Sequence, residues 1–174
     1  MTVRVAVVTV SDRASRGEYE DKGGPACESW LRGVITSRLS VTRDIISDGR
    51  ASVAETLRRL VGEGADLILV TGGTGPGLRD ETPEGVADVL EKELAGFGEE
   101  MRRASLRDVP TAILSRQTAG IAGKSLIITL PGKPAAIATC LDAVFAAVPY
   151  CLDLIGAGRI ETDPARIRAF RPGT

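Results

Sequence analysis

The chain has 174 residues, 43% of them hydrophobic and only 3% aromatic, with 22 Lys and Arg against 23 Asp and Glu and no His. That is enough apolar content for one domain with a full core and no disulfide or structural metal, and near-zero charge with so few aromatic rings excludes a nucleic-acid surface as the main function. The missing His removes the commonest general base and metal imidazole, so any chemistry falls to carboxylates, a thiol or a substrate's own charge.

In chain order, residues 3–10 predict a strand, and their near-continuous apolarity predicts burial on both faces, as in a parallel sheet. The strand ends in Ser11-Asp12-Arg13. A polar, glycine-bearing loop runs to Gly24, and Pro25 suits the first turn of a helix carrying Ala26, Trp30, Leu31, Val34 and Ile35, with Trp30 read as core. Residues 41–46 predict a second strand, closed by Ser47-Asp48-Gly49, followed by a helix from Ala51 that buries Val53, Leu57, Leu60 and Val61. Residues 65–70 predict a buried strand that breaks at Thr71 into the loop Gly72-Gly73-Thr74-Gly75-Pro76-Gly77. Thr82-Pro83-Glu84 has the order of a helix start, with Thr82 as N-cap and Pro83 at the first helical position. Val86, Val89, Leu90 and Leu94 then repeat at the spacing of one core-facing helix.

Gly96-Phe97-Gly98 interrupts that helix, which resumes over 99–107 with Met101, Ser105 and Leu106 before Pro110. Residues 111–114 predict a short strand, Gly120 and Gly123 bracket a loop, and 125–130 predict another buried strand, ending in Pro131-Gly132-Lys133-Pro134. Residues 135–155 form a long apolar helical region that Pro149 kinks or divides. The main domain is expected over 1–161, and a tail over 162–174, with Pro164, Pro172 and alternating Arg, is expected along the surface. Cys27, Cys140 and Cys151 are odd in number and widely spaced, which predicts core thiols rather than a disulfide framework or zinc knuckle. The first strand is too short and wrongly flanked for a signal peptide, and no segment is expected to approach the roughly 20 apolar residues that span a bilayer. A cytoplasmic protein with no membrane partner is the expectation.

Strands alternating with helices imply an α/β fold with parallel pairing and right-handed crossovers: a single-domain three-layer sandwich, its central sheet mostly parallel and helices on both faces. The loops after the strands then gather at the carboxyl edge of the sheet, where open α/β sheets bind ligands. Ser11-Asp12-Arg13, Asp48, residues 71–80 and residues 131–134 all follow strands, so four polar loops converge. Asp48-Gly49 by itself reads as a turn, but the set reads as a site. In the central loop the glycines let backbone amides approach an anion, with Thr71 and Thr74 as added hydroxyl donors and Arg79 able to answer charge. Asp80 is the informative neighbour. A carboxylate beside an anion cradle is repulsive unless Mg2+ or another positive group lies between, or unless Asp80 caps a turn before the helix; the spacing leaves both open. The loop is neither a Walker A sequence nor G-x-G-x-x-G.

Thr71-Gly72-Gly73-Thr74-Gly75, Arg79-Asp80, Thr82-Pro83-Glu84 and Leu130-Pro131-Gly132-Lys133-Pro134 resemble the MoaB/Mog family of molybdenum cofactor biosynthesis. Ser11-Asp12-Arg13-Ala14-Ser15 with Asp21-Lys22-Gly23, Gly96-Phe97-Gly98-Glu99 with Met101-Arg102, and Thr111-Ala112-Ile113-Leu114-Ser115-Arg116 are similar to its molybdopterin adenylyltransferase branch. Two departures, Gly85 where the family often has Ala and Gly24 lengthening the early loop, touch no proposed catalytic carboxylate. The resemblance implies the family's fold and the transfer of AMP from MgATP to the terminal phosphate of molybdopterin, with release of pyrophosphate. By the same resemblance Asp48 and Asp80 are the catalytic carboxylates and hold Mg2+. Ser11, Asp12, Arg13, Thr71, Gly72, Gly73, Thr74, Gly75, Pro131, Gly132, Lys133 and Pro134 contact substrate, Arg13 and Lys133 serve as counter-charges, and Glu99 and Ser105 line the pterin or nucleotide pocket. A homotrimer and hand-over of product to a molybdenum insertase are further implications. Two other readings stand beside this one: a non-catalytic molybdopterin-binding protein of the MoaB type, which retention of both Asp48 and Asp80 disfavours, and an unrelated nucleotide-binding signalling domain.

Overall fold

In the computed structural model, which describes residues 1–173, the apolar runs pair into one six-stranded sheet. In chain order the elements are β1 (Val3–Val10), α1 (Asp12–Ser15), α2 (Gly23–Val34), β2 (Leu39–Ile46), α3 (Arg50–Gly62), β3 (Leu67–Thr71), α4 (Thr82–Ala87), β4 (Lys92–Glu93), α5 (Ala95–Ser105), β5 (Ala119–Ala122), β6 (Ser125–Leu130), α6 (Pro134–Val144) and α7 (Val148–Leu154). The strand order is β2-β1-β3-β6-β5-β4; the first four run parallel, and β5 is antiparallel to both of its neighbours.

Side-chain alternation sorts the sheet into two cores, which gives the expected three layers. Val3, Val5, Val7, Leu67, Leu69, Leu126 and Ile128 face one side, against α2, α6 and α7. Ala6, Val8, Val10, Ile68, Val70 and Ile127 face the other, against Val53, Leu57 and Leu60 of α3 and Val86 of α4. Trp30 belongs to the first core as expected: its ring meets Phe145 edge-on at 4.8 Å, and its indole N–H donates to Asp142 at 2.9 Å. Cys27 and Cys140 are buried, Cys151 is half-buried, and all three are free; burial pushes the Cys27 thiol up to about 12.

Several local expectations are corrected, each by tertiary contacts overriding local pattern. α4 ends at Ala87 instead of running to Leu94, because the Glu91 amide is drawn to the Ile121 carbonyl at 2.8 Å and the chain joins the sheet edge as β4. Gly96-Phe97-Gly98 lies inside α5 and does not interrupt a helix. A Cβ on Gly98 would stand 2.3 Å from the Gln117 carbonyl, so this glycine permits close packing. Residues 111–114 belong to a 3-10 turn, Pro110–Leu114, with Pro110 fixing its first φ. Residues 120–123 are not a loop: Gly120 sits within β5, and Gly123 at φ +57 makes the turn into β6. The Ser11-Asp12-Arg13 loop closes into the single turn α1, with Ser11 as its N-cap.

The run Pro134–Leu154 overturns the expectation about apolar length. Its 21 residues have a mean hydropathy of 1.8, enough by length and composition to cross a bilayer. It is divided at Phe145–Ala147, just before Pro149, and Ile137, Leu141, Phe145, Val148 and Leu152 are core residues. The segment from Thr162 packs on the domain: Thr162 bridges to Ile35, the Asp163 amide donates to Val34 O at 2.8 Å, and Ile167 is buried. Thr174, the last residue assigned to the tail, lies outside the described residues.

Candidate active site

The parallel strands end in register, Val10 beside Ile46, Thr9 beside Thr71 and Thr71 beside Leu130, so the loops that follow leave from one level. α2 and α3 leave to opposite faces, which makes the gap between β1 and β3 the switch point where such sheets open a crevice. A cavity of about 280 Å³ lies there, with Ser11, Arg13, Lys22, Thr71, Gly132 and Lys133 in its wall. Arg13 stacks over Tyr19 at 5.1 Å, and the Asp21 carboxylate is occupied by Thr9 Oγ1 and the Gly24 amide, both at 3.0 Å. Arg13, Lys22 and Lys133 against the Asp21 carboxylate leave this wall net positive.

The glycine loop is held by its carbonyls. Gly72 O accepts from Thr82 Oγ1 at 2.9 Å, Gly73 O from the Thr82 amide at 3.1 Å, Thr74 O from the Arg116 amide at 2.8 Å and Gly75 O from Arg116 Nε at 2.9 Å. In a trans peptide the N–H points opposite to the carbonyl of the same unit. Tying back four successive carbonyls thus turns the amides of Gly73, Thr74 and Gly75 outward. Among the described residues none of the three donates to a protein acceptor. Gly72 and Gly73, at φ +98 and +65, supply the left-handed backbone this requires. Free consecutive amides of this kind are an anion cradle. Contrary to the expectation from sequence, Thr71 does not add its hydroxyl to it, because Oγ1 donates to Pro131 O at 2.7 Å. The Gly72 amide is likewise committed, to Leu130 O at 3.1 Å.

Carboxylates flank the cradle. Asp48 Oδ2 accepts from the Asp12 amide at 2.8 Å, Asp12 Oδ1 accepts from the Asp48 amide at 3.1 Å, and Arg79 clasps both Asp12 oxygens at 3.0 and 3.1 Å. The hydrogen bond from Arg79 holds the Asp12 carboxyl below its ordinary range. Among the described residues Asp48 Oδ1 accepts no bond; it stands 3.4 Å from where a Cβ of Gly73 would lie. Asp80 does cap a turn, with Oδ2 accepting from the Gly77 amide at 2.9 Å, and its other oxygen has no donor among the described residues. Two carboxylates that flank free amides, each with one uncommitted oxygen, could hold a divalent cation. Among the described residues no three acidic, Cys or His side chains form a closed metal cage.

The remaining expected positions divide. Glu99 lines a separate cavity of about 570 Å³ with Arg102, Arg116 and Gln117. Ser105 Oγ is 3.6 Å from Cys140 Sγ and lines neither cavity. Pro134 is the first residue of α6. Sequence reasoning missed Thr82, expected as an N-cap; the cap position is Glu81, and Thr82 is buried and bonded to the loop. It also gave no role to Arg116, for which the only signal was its place in a motif.

A sequence profile described as a probable molybdopterin binding domain matches residues 6–150. The molybdopterin adenylyltransferase of Helicobacter pylori is 49% identical over 172 residues, covering 98% of both chains. That of Escherichia coli is 45% identical over 184 residues, covering 98% of this chain and 94% of its own. The crystal structure of the molybdopterin biosynthesis enzyme MoaB from Thermus thermophilus is similar with a TM-score of 0.82 and 37% identity, covering 91% of this chain and 99% of its own.

Proposed function

We propose, from the premise that this chain belongs to the molybdopterin-binding domain family, that it is a molybdopterin adenylyltransferase of molybdenum cofactor biosynthesis that takes its adenylyl group from MgATP. The observation that carries the reading is the row of three free amides at Gly73–Thr74–Gly75, set between Asp48 and Asp80 at the carboxyl edge of the sheet. An oxygen of the terminal phosphate of molybdopterin attacks the α-phosphorus of ATP. A new P–O bond forms there, the α–β bridge breaks, and pyrophosphate leaves with the bonding pair. A phosphate monoester is ionised at neutral pH, so the absence of His costs the reaction nothing.

What the chain supplies is alignment and charge. The Gly73, Thr74 and Gly75 amides bind phosphate oxygens, Arg13, Lys22 and Lys133 add positive charge at the neighbouring cavity, and Asp48 and Asp80 are the residues that would hold Mg2+. Bound with the triphosphate, the ion supplies charge neutralisation. Ser11, Gly132 and Pro131 form the rest of the wall or its support, and Glu99 in the larger cavity contacts substrate there.

The assembly proposed is a homotrimer in the cytoplasm that hands its product to a molybdenum insertase. Leu106, Val109, Ile113 and Leu114, all exposed, give apolar surface for self-association. The deciding experiment is anaerobic pyrophosphate release from MgATP with and without molybdopterin, with mass analysis of the pterin product. Pterin-dependent release with an adenylylated product is expected; tight pterin binding without turnover would replace this reading by a binding protein.

A further inference from the structure

We propose that the Arg116 side chain is a positioning residue for adenylyl transfer, fixing the exit of the glycine loop and the place of Asp80 without itself touching the reacting atoms. The proposal rests on the adenylyl-transfer reading. Four bonds leave this one residue for the loop and its exit. Its amide donates to Thr74 O at 2.8 Å, Nε donates to Gly75 O at 2.9 Å, Nη2 donates to Asp80 O, and Nη1 pairs with Glu84 Oε1. Each captured carbonyl sets the opposite direction for the next N–H. Capture of Thr74 O by the main-chain amide aims the Gly75 amide whatever the side chain, whereas capture of Asp80 O by the guanidinium fixes the backbone from which the Asp80 carboxylate projects. After Gly75 the next residue is Pro76, which has no N–H, so the Nε bond stabilises the loop without taking a donor from the cradle.

Glu84 is the counterpart. Its Oε2 is buried with no hydrogen-bond partner, an arrangement that destabilises a carboxylate unless a full positive charge lies beside it. Arg116 is that charge. The carboxylate is thus spent on seating a guanidinium whose two other bonds go to the loop and its exit. A lysine would not serve, because one ammonium lacks the planar fork that reaches separate carbonyls and a carboxylate together. The side-chain contacts span 32 to 41 residues of sequence, which marks Arg116 as a tie between the chain before β5 and the glycine loop.

The test compares wild type, Arg116→Lys and Glu84→Gln in steady-state adenylyl transfer and in calorimetric titration with MgATP. For Arg116→Lys we expect kcat to fall about 10²-fold, as for a misplacement near 1 Å, while KM for molybdopterin stays within about threefold. Glu84→Gln keeps the guanidinium and should lose about tenfold in kcat by the same route. MgATP affinity should fall at least about tenfold in Arg116→Lys while its thermal midpoint still reports a folded protein. Arg116→Lys that turns over and binds MgATP like wild type overturns the proposal, as does a loss matched by the unfolded fraction. If wild type binds MgATP but transfers nothing, the enzymatic reading fails, and the titration alone still decides whether the Arg116 side chain holds the loop exit and Asp80 in place for MgATP.

Discussion

Replacing Gly72 by Ala tests the backbone on which the cradle depends. Gly72 sits at φ +98, and a Cβ there would stand 2.4 Å from the carbonyl oxygen of Val10. That neighbour is strand backbone, paired to β2 through Ile46, and cannot step aside. Two terms add: about 1–2 kcal/mol for placing an L side chain in left-handed backbone, and about 1–3 kcal/mol for overpacking against a fixed atom. The sum, about 2–5 kcal/mol, should lower the melting temperature of a domain of this size by about 4–20 °C. Gly17→Ala is the control, because Gly17 has φ +73 but no atom within 4 Å of the added Cβ. It should lose only the backbone part, about 1–2 kcal/mol. Thermal and urea unfolding followed by far-ultraviolet dichroism measure both variants. Equal losses in the two would refute the close approach to Val10 as the reason for a glycine at position 72.

Asp48→Asn and Asp80→Asn should remain folded and lose about 10²–10³-fold in pyrophosphate release, with Asp80→Ala also losing about 1 kcal/mol of stability for the Gly77 turn bond; wild-type rates in either Asn variant would remove that carboxylate from the chemistry. Hydrogen bonds from Arg116 and Arg79 hold Glu84 and Asp12 below their ordinary values of 4.5 and 3.8. A folded value below the unfolded one stabilises fully above the ordinary value and is lost as pH falls through the depressed one. Acid unfolding should therefore steepen below about pH 4.5, and Glu84→Gln should flatten that limb in a titration of unfolding free energy. With burial raising all three thiols, a disulfide reagent at neutral pH should label Cys27 and Cys140 only after denaturation; prompt labelling of Cys27 in the native protein would contradict its place in the core.

β1, β3 and β6 were legible because a strand buried on both faces must be apolar almost throughout, and the same logic located the polar loops at their ends. β4 was not, since Lys92-Glu93 is two exposed charged residues whose pairing is decided by β5 alone. Glycine was the ambiguous letter. Gly72 and Gly73 were read for their backbone freedom, whereas Gly98 and Gly120 were read as breaks although they admit neighbouring carbonyls within an α-helix and a strand. The residues that hold the cradle, Thr82 and Arg116, act through side-chain bonds across 10 to 41 positions, and such partnerships leave no periodic trace in a sequence.

The two sides of the glycine loop stand at opposite ends of the molecule's range of motion. Its root is β3, paired along both edges between β1 and β6, where amide protons exchange only as fast as the whole domain opens. Its lip is exposed, with Leu78 fully in water between the Gly77–Asp80 turn bonds and the Arg79 contacts to Asp12 and Asp48, so the fluctuations of Leu78 belong to the faster regime of surface loops. Ligand arrival can therefore proceed on the lip's clock while the root keeps the donors still, and occupancy would register in deuterium uptake at the lip long before it altered the slow protons beneath.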